Sequence, residues 1–194
     1  MNTYIALFRG INVGGNNLLP MKELASMLEN IGLVNVKTYI QSGNAIFQCE
    51  TADSSGLARA ICAAIEASRG FEPQVLLLAL DELQQAIDLN PFPEAEPEPN
   101  TLHLNFLAAV PEQPDLEMLE NIKLASERFS LIGKVFYLHA PEGIGRSKLA
   151  ANTEKLLGVS TTSRNWRTVC RIIEMANADP AVAGRHIGFK TKQP

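Results

Sequence analysis

The 194-residue sequence has few of the residues that form disulfides or metal sites, and it has no long hydrophobic run. Its three cysteines and three histidines are widely spaced, without a CxxC pair or a helical His motif. This pattern predicts reduced thiols that pack as small apolar side chains. No apolar segment approaches the roughly 20 residues of a membrane span, and no basic segment typical of a secretory signal leads the sequence. We therefore expect a cytoplasmic protein with no metal, no cofactor and no membrane partner.

The sequence also lacks an excess of positive charge. It has 17 Lys and Arg residues against 21 Asp and Glu residues, for a formal net charge of -4. A protein that binds duplex nucleic acid needs a basic face that displaces counterions from the phosphates. The charge balance therefore argues against duplex binding, although a local basic pocket is compatible with it. The 46% hydrophobic content is typical of a folded globular chain.

The first half of the chain alternates between strand and helix patterns. Its apolar runs, helical periodicities and Gly or Pro breakers define one element after another. The residues at 41–44, QSGN, are a hairpin signal between two β-prone runs, and DELQ at 81–84 matches a capping box. The patterns predict, in order, strand 4–8, helix 20–31, strands 36–40 and 45–49, helix 51–69, strand 74–80 and a short helix at 81–90.

Residues 90–100, NPFPEAEPEPN, hold four prolines and three glutamates. Proline fixes φ and removes a backbone donor, so this segment is predicted to be a solvated linker, neither helix nor central strand. It gives the domain prediction of a subdomain over 1–90, a Pro/Glu-rich linker over 91–100, a second subdomain over 101–176 and an irregular C-terminal tail over 177–194.

The second half repeats the order of elements loosely. Leu102, Leu104 and Phe106 alternate with polar residues, which predicts a half-buried strand with His103 on its polar side. The remaining patterns predict a helix over 115–129, a hairpin around Gly133, a helix capped by Ser147 that ends before Gly158, and a last helix over about 162–175.

The segment at 8–17, FRGINVGGNN, carries the clearest chemical signal. Its glycines allow backbone N–H groups to converge on an anion, and Arg9 supplies a planar fork suited to a carboxylate or a phosphate. The glycine and lysine spacings match neither the dinucleotide fingerprint nor the P-loop. The segment predicts an anion-binding site, with a simple turn as the structural alternative.

Three other polar segments have both a functional and a structural interpretation. Ser42 lacks the G-x-S-x-G context of a nucleophile, so a turn explains it. The helix start at Ser147 and Lys148 suits an anion or only a cap. Arg164 and Arg167, predicted in the first turn of the last helix, oppose the helix dipole, so a carboxylate partner or a bound anion would compensate them. No carboxylate pair stands beside a base, so no catalytic residue is predicted.

Taken in order, the segments RGINVGG, LPMKEL, TYIQSGNAIF, GIGRSK and TTSRNWRTV resemble the bacterial domain-of-unknown-function family 1697. The resemblance covers roughly residues 3–176 and has five ordered motifs. It implies an α+β chain of two ferredoxin-like α/β-sandwich subdomains with antiparallel sheets, and no assigned activity. The family often has Asn where this chain has Arg167. Besides Gly43, the site residues that the resemblance implies are Arg9, Gly10, Asn12, Gly14, Gly15, Ser42, Asn44, Ser147, Lys148, Arg164, Asn165 and Trp166.

These residues belong to predicted loops and helix starts, which leads to two hypotheses. In the first, a small anionic metabolite or nucleotide binds in a cleft between the halves. Arg9, Lys148 and Arg164 would supply charge, while the amide and hydroxyl side chains would orient the ligand. In the second, the chain is a protein–protein interaction or structural module without a small-molecule ligand. An enzyme would need a base that the sequence does not identify, and the oligomeric state is left open.

Overall fold

The computed structural model describes residues 1–178, which form two four-stranded antiparallel sheets. The strand order is β2-β3-β1-β4 in the first sheet and β6-β7-β5-β8 in the second. The predicted α+β fold of two ferredoxin-like subdomains is confirmed. The elements are β1 Asn2–Arg9, α1 Met21–Asn30, β2 Val34–Tyr39, β3 Asn44–Cys49, α2 Ser54–Arg69, β4 Gln74–Ala79, α3 Leu80–Asp88, β5 Leu102–Leu107, α4 Leu116–Ile122, β6 Arg128–Ile132, β7 Val135–His139, α5 Lys148–Leu157, β8 Thr161–Asn165 and α6 Trp166–Asn177.

Each half is a β-α-β-β-α-β unit followed by one extra helix, α3 in the first half and α6 in the second. Helices α1 and α2 cover the outer face of the first sheet, and the second sheet has its own outer core beneath α4 and α5. Because successive side chains of a strand point to opposite faces, the inner faces of both sheets stay free to form a further core.

That central core joins the two halves and is the largest apolar cluster of the described residues. Ile5 and Leu7 enter it from β1, while Leu104 and Phe106 enter it from β5. Helices α3 and α6 contact each other and contribute to it, and Trp166 of α6 is buried there. Large apolar interfaces hold domains together as one unit, so we infer that the halves are stable mainly as a pair.

Polar side chains fix the helix starts. Glu82 accepts the Ala79 N–H at 2.9 Å, so α3 begins one residue before the predicted box, with Glu82 in its first turn. A side-chain cap of this kind contributes about 1 kcal/mol. Four further helices have an N-cap residue whose side chain accepts the backbone N–H of the residue three positions later. These N-cap residues are Asp53, Asp115, Ser147 and Asn165.

Two helix predictions in the second half are wrong in their bounds. The helix expected at 115–129 stops at Ile122, and Phe129 lies in β6. The Glu127 carboxylate accepts the Leu124 N–H at 2.8 Å, which closes a turn between the two elements. Phe129 and Leu131 both pack against the outer core, which is the two-residue period of a strand. Phe129 taken alone also lies seven residues after Ile122, a helical spacing.

The helix expected from about residue 162 begins only at Trp166, because residues Thr161–Asn165 form strand β8. β8 pairs with β5 along its whole length, and its β-branched threonines suit a strand. Arg164 is therefore a strand residue, and the prediction that it lies in a first helical turn is wrong. Arg167 does lie in the first turn of α6.

The Pro/Glu-rich segment is packed more closely than a solvated linker. Phe92 and Ala95 are buried in the central core, and Pro93–Ala95 form a short 3₁₀ helix. The Arg128 guanidinium lies 4.9 Å from the centre of the Phe92 ring and also pairs with Glu94. Tertiary packing thus overrides the polar composition at these residues.

His103 is buried, not surface-placed as its position in the strand pattern indicated. Its ring nitrogen bonds to the Asn100 carbonyl at 2.9 Å. Burial lowers the pKa of His103, although the Asn100 bond opposes this. All six residues of β5 are buried, so the period-2 pattern does not mark a solvent-facing side here.

The last element of the described residues is α6. It extends to Asn177, and the rest of the predicted tail, residues 179–194, lies outside the described residues. The proposed boundaries at 1–90, 91–100 and 101–176 stay a prediction. Among residues 1–178, none of the helices has the length and apolarity needed to cross a membrane.

Leu104→Ala tests the shared core. Leu104 is 0% exposed, so the cavity should lower the free energy of unfolding by about 2–5 kcal/mol. Trp166 is the only tryptophan and reports on the central core, whereas far-UV circular dichroism reports on both halves. We expect the two urea transitions to coincide in wild type and variant. Leu89→Ala, at a 44% exposed residue, is the control. A dichroism transition in two steps would contradict the shared core.

Candidate functional site

Arg164 crosses from the second half into the first. Its Nε donates to the Asn44 Oδ1, and its Nη1 donates to the neighbouring Ser163 carbonyl at 2.8 Å. Its Nη2 faces a group of three backbone carbonyls at the end of β1 and in the β2–β3 turn: Phe8 at 2.7 Å, Gly43 at 2.9 Å and Ser42 at 3.2 Å. The guanidinium is thus bonded by both halves.

The partners of Arg164 are dipoles, not a carboxylate. Burial lowers its pKa to about 10, so the group is still charged at neutral pH. A cation withdrawn from water needs bonded donors, and four carbonyls and one amide oxygen meet that need for the partly buried Arg164. The compensation that the sequence led us to expect from a carboxylate or an anion comes from the protein's own acceptors.

The β2–β3 turn is built to present those carbonyls. Gly43 has φ +80°, and a Cβ there would lie 2.6 Å from the Ile11 Cδ1 and 2.7 Å from the Phe8 Cβ, so only glycine fits. Asn44 is fully buried, and its Nδ2 donates to the Tyr39 carbonyl at 3.0 Å. The turn and Arg164 therefore form one hydrogen-bonded unit.

Asn12 fixes the glycine-rich loop against the same turn. Its Nδ2 donates to the carbonyls of Leu19 (2.9 Å) and Gln41 (3.0 Å), and its Oδ1 accepts the Leu19 N–H at 2.8 Å. Asn17 donates to the Gly10 carbonyl at 2.8 Å, which closes the loop. Gly14 and Gly15, together with Gly10, have positive φ and shape an exposed turn with a Val13–Asn16 bridge.

Arg9 makes a second connection between the halves. Its Nη1 bonds to the Glu154 carboxylate of α5 and to the Thr161 carbonyl at 3.1 Å. The same carboxylate oxygen accepts the Thr161 N–H at 3.1 Å. Partial burial alone would raise the pKa of Glu154, but the Thr161 amide and Arg9 lower it, and the net pKa is below the ordinary value.

The remaining predicted site residues do not join this cluster. Ser147 and Asn165 act as helix caps, with bonds of 2.9 Å to Ala150 N and 3.0 Å to Thr168 N. Lys148 is exposed at the start of α5, and its ammonium has no hydrogen bond or ion pair within residues 1–178. It lies six residues from Glu154, about 9 Å along the helix axis. Trp166 is buried in the central core and borders a groove.

This groove is the concave feature that the sequence did not predict. It has a volume of about 370 Å³ and lies between β2, the Pro/Glu-rich segment and α6. Its residues come from distant segments, so no short motif marks it; the unusual positive charge at Arg167 is the only signal that the sequence offered. The groove is lined by Tyr39, Glu96, Pro99, Trp166, Arg167, Cys170, Arg171 and Glu174.

The charges in the groove differ in their partners. Arg171 pairs with Glu174 at 3.0 Å. The Arg167 guanidinium has no hydrogen bond or ion pair with any side chain or carbonyl of residues 1–178. Burial, with the charges of Glu96 and Glu174, raises the pKa of the Cys170 thiol, so this thiol is protonated at neutral pH. Over the described part of the chain, no group of His, Cys, Asp or Glu side chains suits a metal ion.

The fold, together with the bonds of Arg164 and Arg9 between the two halves, defines a class of α+β proteins with two ferredoxin-like halves around a shared core. The chain belongs to the family described as "Protein of unknown function (DUF1697)", whose model matches residues 1–137. It is similar to the solved structure of the conserved bacterial protein SP0830 from Streptococcus pneumoniae, with a TM-score of 0.67 and 25% identity over 91% of this chain and 99% of that chain. No curated protein matches. The family predicted from the sequence is confirmed over residues 1–137, and the last two of its five motifs, GIGRSK and TTSRNWRTV, lie beyond the matched residues.

Arg164→Lys should destabilise the protein by about 2–4 kcal/mol in urea unfolding at pH 7. A lysine ammonium has no planar fork that reaches the Asn44 amide and the carbonyls together, so buried acceptors lose their donors. Arg171→Lys, at an exposed position of α6, should change stability by less than about 0.5 kcal/mol. Equal effects of the two substitutions on stability would show that the bonds of Arg164 do not stabilise the contact between the two halves.

Glu154→Gln should lower stability at pH 7 and have little effect in acid. Because the folded pKa of Glu154 is depressed, its charge stabilises the fold above its unfolded pKa, and this contribution is lost as the pH falls through the folded value. Urea unfolding at pH 7 and at about pH 3 measures the difference between wild type and variant. Exposed Glu112→Gln is the control. A difference that is the same at both pH values would contradict this role.

Proposed function

We propose that the chain binds a small anionic ligand, carrying a carboxylate or a phosphate, in the groove between its two halves. The observation that supports this is the exposed Arg167 guanidinium at the groove, which has no partner among residues 1–178, whereas its neighbour Arg171 is paired. A guanidinium fork bonds both oxygens of a carboxylate or phosphate. Small-molecule sites are concave and mostly apolar with a few polar groups, and Tyr39, Pro99 and Trp166 supply such walls.

In this proposal, most of the family's polar residues position the groove instead of touching the ligand. The Tyr39 carbonyl accepts a hydrogen bond from the Asn44 side chain, and the Asn44 side chain accepts one from Arg164. Arg164 in turn precedes the groove residue Trp166 by two positions. Rigid support of this kind keeps binding groups in place. Arg9, Asn12, Ser42 and the glycines of the loop would act in the same way, while Lys148 would add long-range attraction for an anion.

The proposed location is the cytoplasm, and the proposed activity is binding without chemistry. The free thiols of Cys49, Cys62 and Cys170 suit a reducing compartment. The protonated Cys170 is not an active nucleophile, and the acids of the groove are not placed beside one.

A protein–protein interaction module is the second candidate, and the glycine-rich loop favours it. Val13 and Leu18 are 66% and 61% exposed on a loop that Asn12 holds rigid, and Ile40 in the adjoining turn is 47% exposed. Ile40 also has φ +48°, an unfavourable conformation for a β-branched residue. Exposed apolar side chains on a preorganised loop are typical of contact surfaces.

A thermal-shift screen tests the ligand proposal. Phenylacetate, phenyl phosphate, AMP and inorganic phosphate are titrated into the purified protein at constant ionic strength. We expect at least one to raise the melting temperature with increasing concentration, because a ligand at 100 times its Kd adds about 2.7 kcal/mol to stability. Arg167→Gln should abolish the shift, whereas the matched control Arg59→Gln, at an exposed arginine of α2 that does not line the groove, should keep it.

Two results would overturn the ligand proposal. One is the absence of a shift with every anion, and the other is a shift that persists in Arg167→Gln. The interaction module would then be tested by sedimentation over a range of protein concentrations. Leu18→Ser should weaken any association that the exposed loop mediates, while Leu89→Ser, at an exposed residue of the α3 end, should not.

A further inference from the structure

The groove carries an unpartnered negative charge as well as the positive one. Glu96 comes from the Pro/Glu-rich segment and forms no ion pair within residues 1–178. Its Oε1 accepts a bond of 2.8 Å from the Asn90 Nδ2, a neutral donor that orients the carboxylate without cancelling its charge. The first turn of α6 lies against this segment, since Arg167 N bonds to the Pro99 carbonyl at 3.4 Å.

Glu96 and Arg167 do not neutralise each other. Both line the groove, yet their charged atoms are further apart than the 4.0 Å of an ion pair. The other two charged residues of the groove, Arg171 and Glu174, form an ion pair at 3.0 Å. Among residues 1–178, the groove therefore has one exposed cation and one exposed anion without an ion-pair partner, with Tyr39, Pro99 and Trp166 as the less polar wall.

We propose that the ligand is a zwitterion with an α-amino-acid headgroup and an apolar side chain. Its carboxylate would bond to Arg167, its ammonium would bond to Glu96, and its side chain would lie on the less polar wall. This inference rests on the proposed function and assigns the class of ligand.

Size and charge favour this class over a nucleotide. A volume of about 370 Å³ is near the lower end of small-molecule pockets, which suits a single amino acid or a dipeptide. A nucleotide brings two or more negative charges close to Glu96 and Glu174, and a like charge left against a carboxylate weakens binding. A zwitterion matches the open charge of each sign.

Phenylalanine and two of its derivatives test the ligand's carboxylate and ammonium separately. L-phenylalanine carries both, N-acetyl-L-phenylalanine only the carboxylate, and L-phenylalaninamide only the ammonium. Isothermal titration at pH 7 with the full chain should give the zwitterion the highest affinity, by at least about tenfold over each derivative, or 1.4 kcal/mol. L-leucine and its N-acetyl form repeat the comparison with another apolar side chain.

Two substitutions then assign the contacts. Glu96→Gln should remove the preference for L-phenylalanine over its N-acetyl form while leaving affinity for the N-acetyl form. Arg167→Gln should weaken both of these ligands by tenfold or more. Glu112→Gln and Arg59→Gln, at exposed residues that do not line the groove, are the matched controls. Unchanged melting temperatures without ligand establish that the variants are folded.

The outcomes separate this inference from the proposed function. If L-phenylalanine and its N-acetyl form bind with equal affinity and both lose affinity in Arg167→Gln, the zwitterion inference is wrong. The proposed anion-binding function would still stand. A zwitterion preference that survives in Glu96→Gln would also overturn the inference. No binding by any derivative, together with no shift in the anion screen, would overturn both.

Discussion

The arrangement of the two halves depends on a partly buried guanidinium that is bonded only to dipoles. Arg164 starts in the second sheet and ends among carbonyls of the first half, including that of Phe8. An apolar core tolerates small displacements of one half relative to the other. Arg164, in contrast, would lose several hydrogen bonds at once after such a displacement. We infer that the central core supplies most of the affinity between the halves, while Arg164 fixes their register.

This constraint gives a physical reason for much of the family's polar pattern. Gly43 is the residue that lets the turn approach Phe8, and Asn44 carries the amide that Arg164 reaches. Asn12 holds the neighbouring loop through Gln41 of the same turn. Residues that look like a dispersed ligand site in the sequence thus form one bonded structure, and the groove proposed for binding lies beside it.

Periodicity and turn residues predict the fold class and nearly all elements of the first half. The errors fall where tertiary pairing decides: Thr161–Asn165 is a short polar strand stabilised by β5, and Phe129 suits a helix or a strand pattern equally. The role of Arg164 was not predictable either, because backbone carbonyls have no sequence signature. Likewise the groove combines Tyr39, Glu96 and Arg167 from three separate segments.

Arg164 and Arg167 are three residues apart and have opposite relations to the fold. Arg164 bonds to the interior and its loss leaves acceptors without donors, so its presence is explained by stability. Arg167 opposes the dipole of α6, at a cost of about 0.3–1 kcal/mol, and no described partner offsets it. Arg167 is exposed, so water solvates it in the free protein, and its guanidinium stays available to an anion. This availability at the wall of a groove is why the groove, and not the glycine-rich loop, carries the functional proposal.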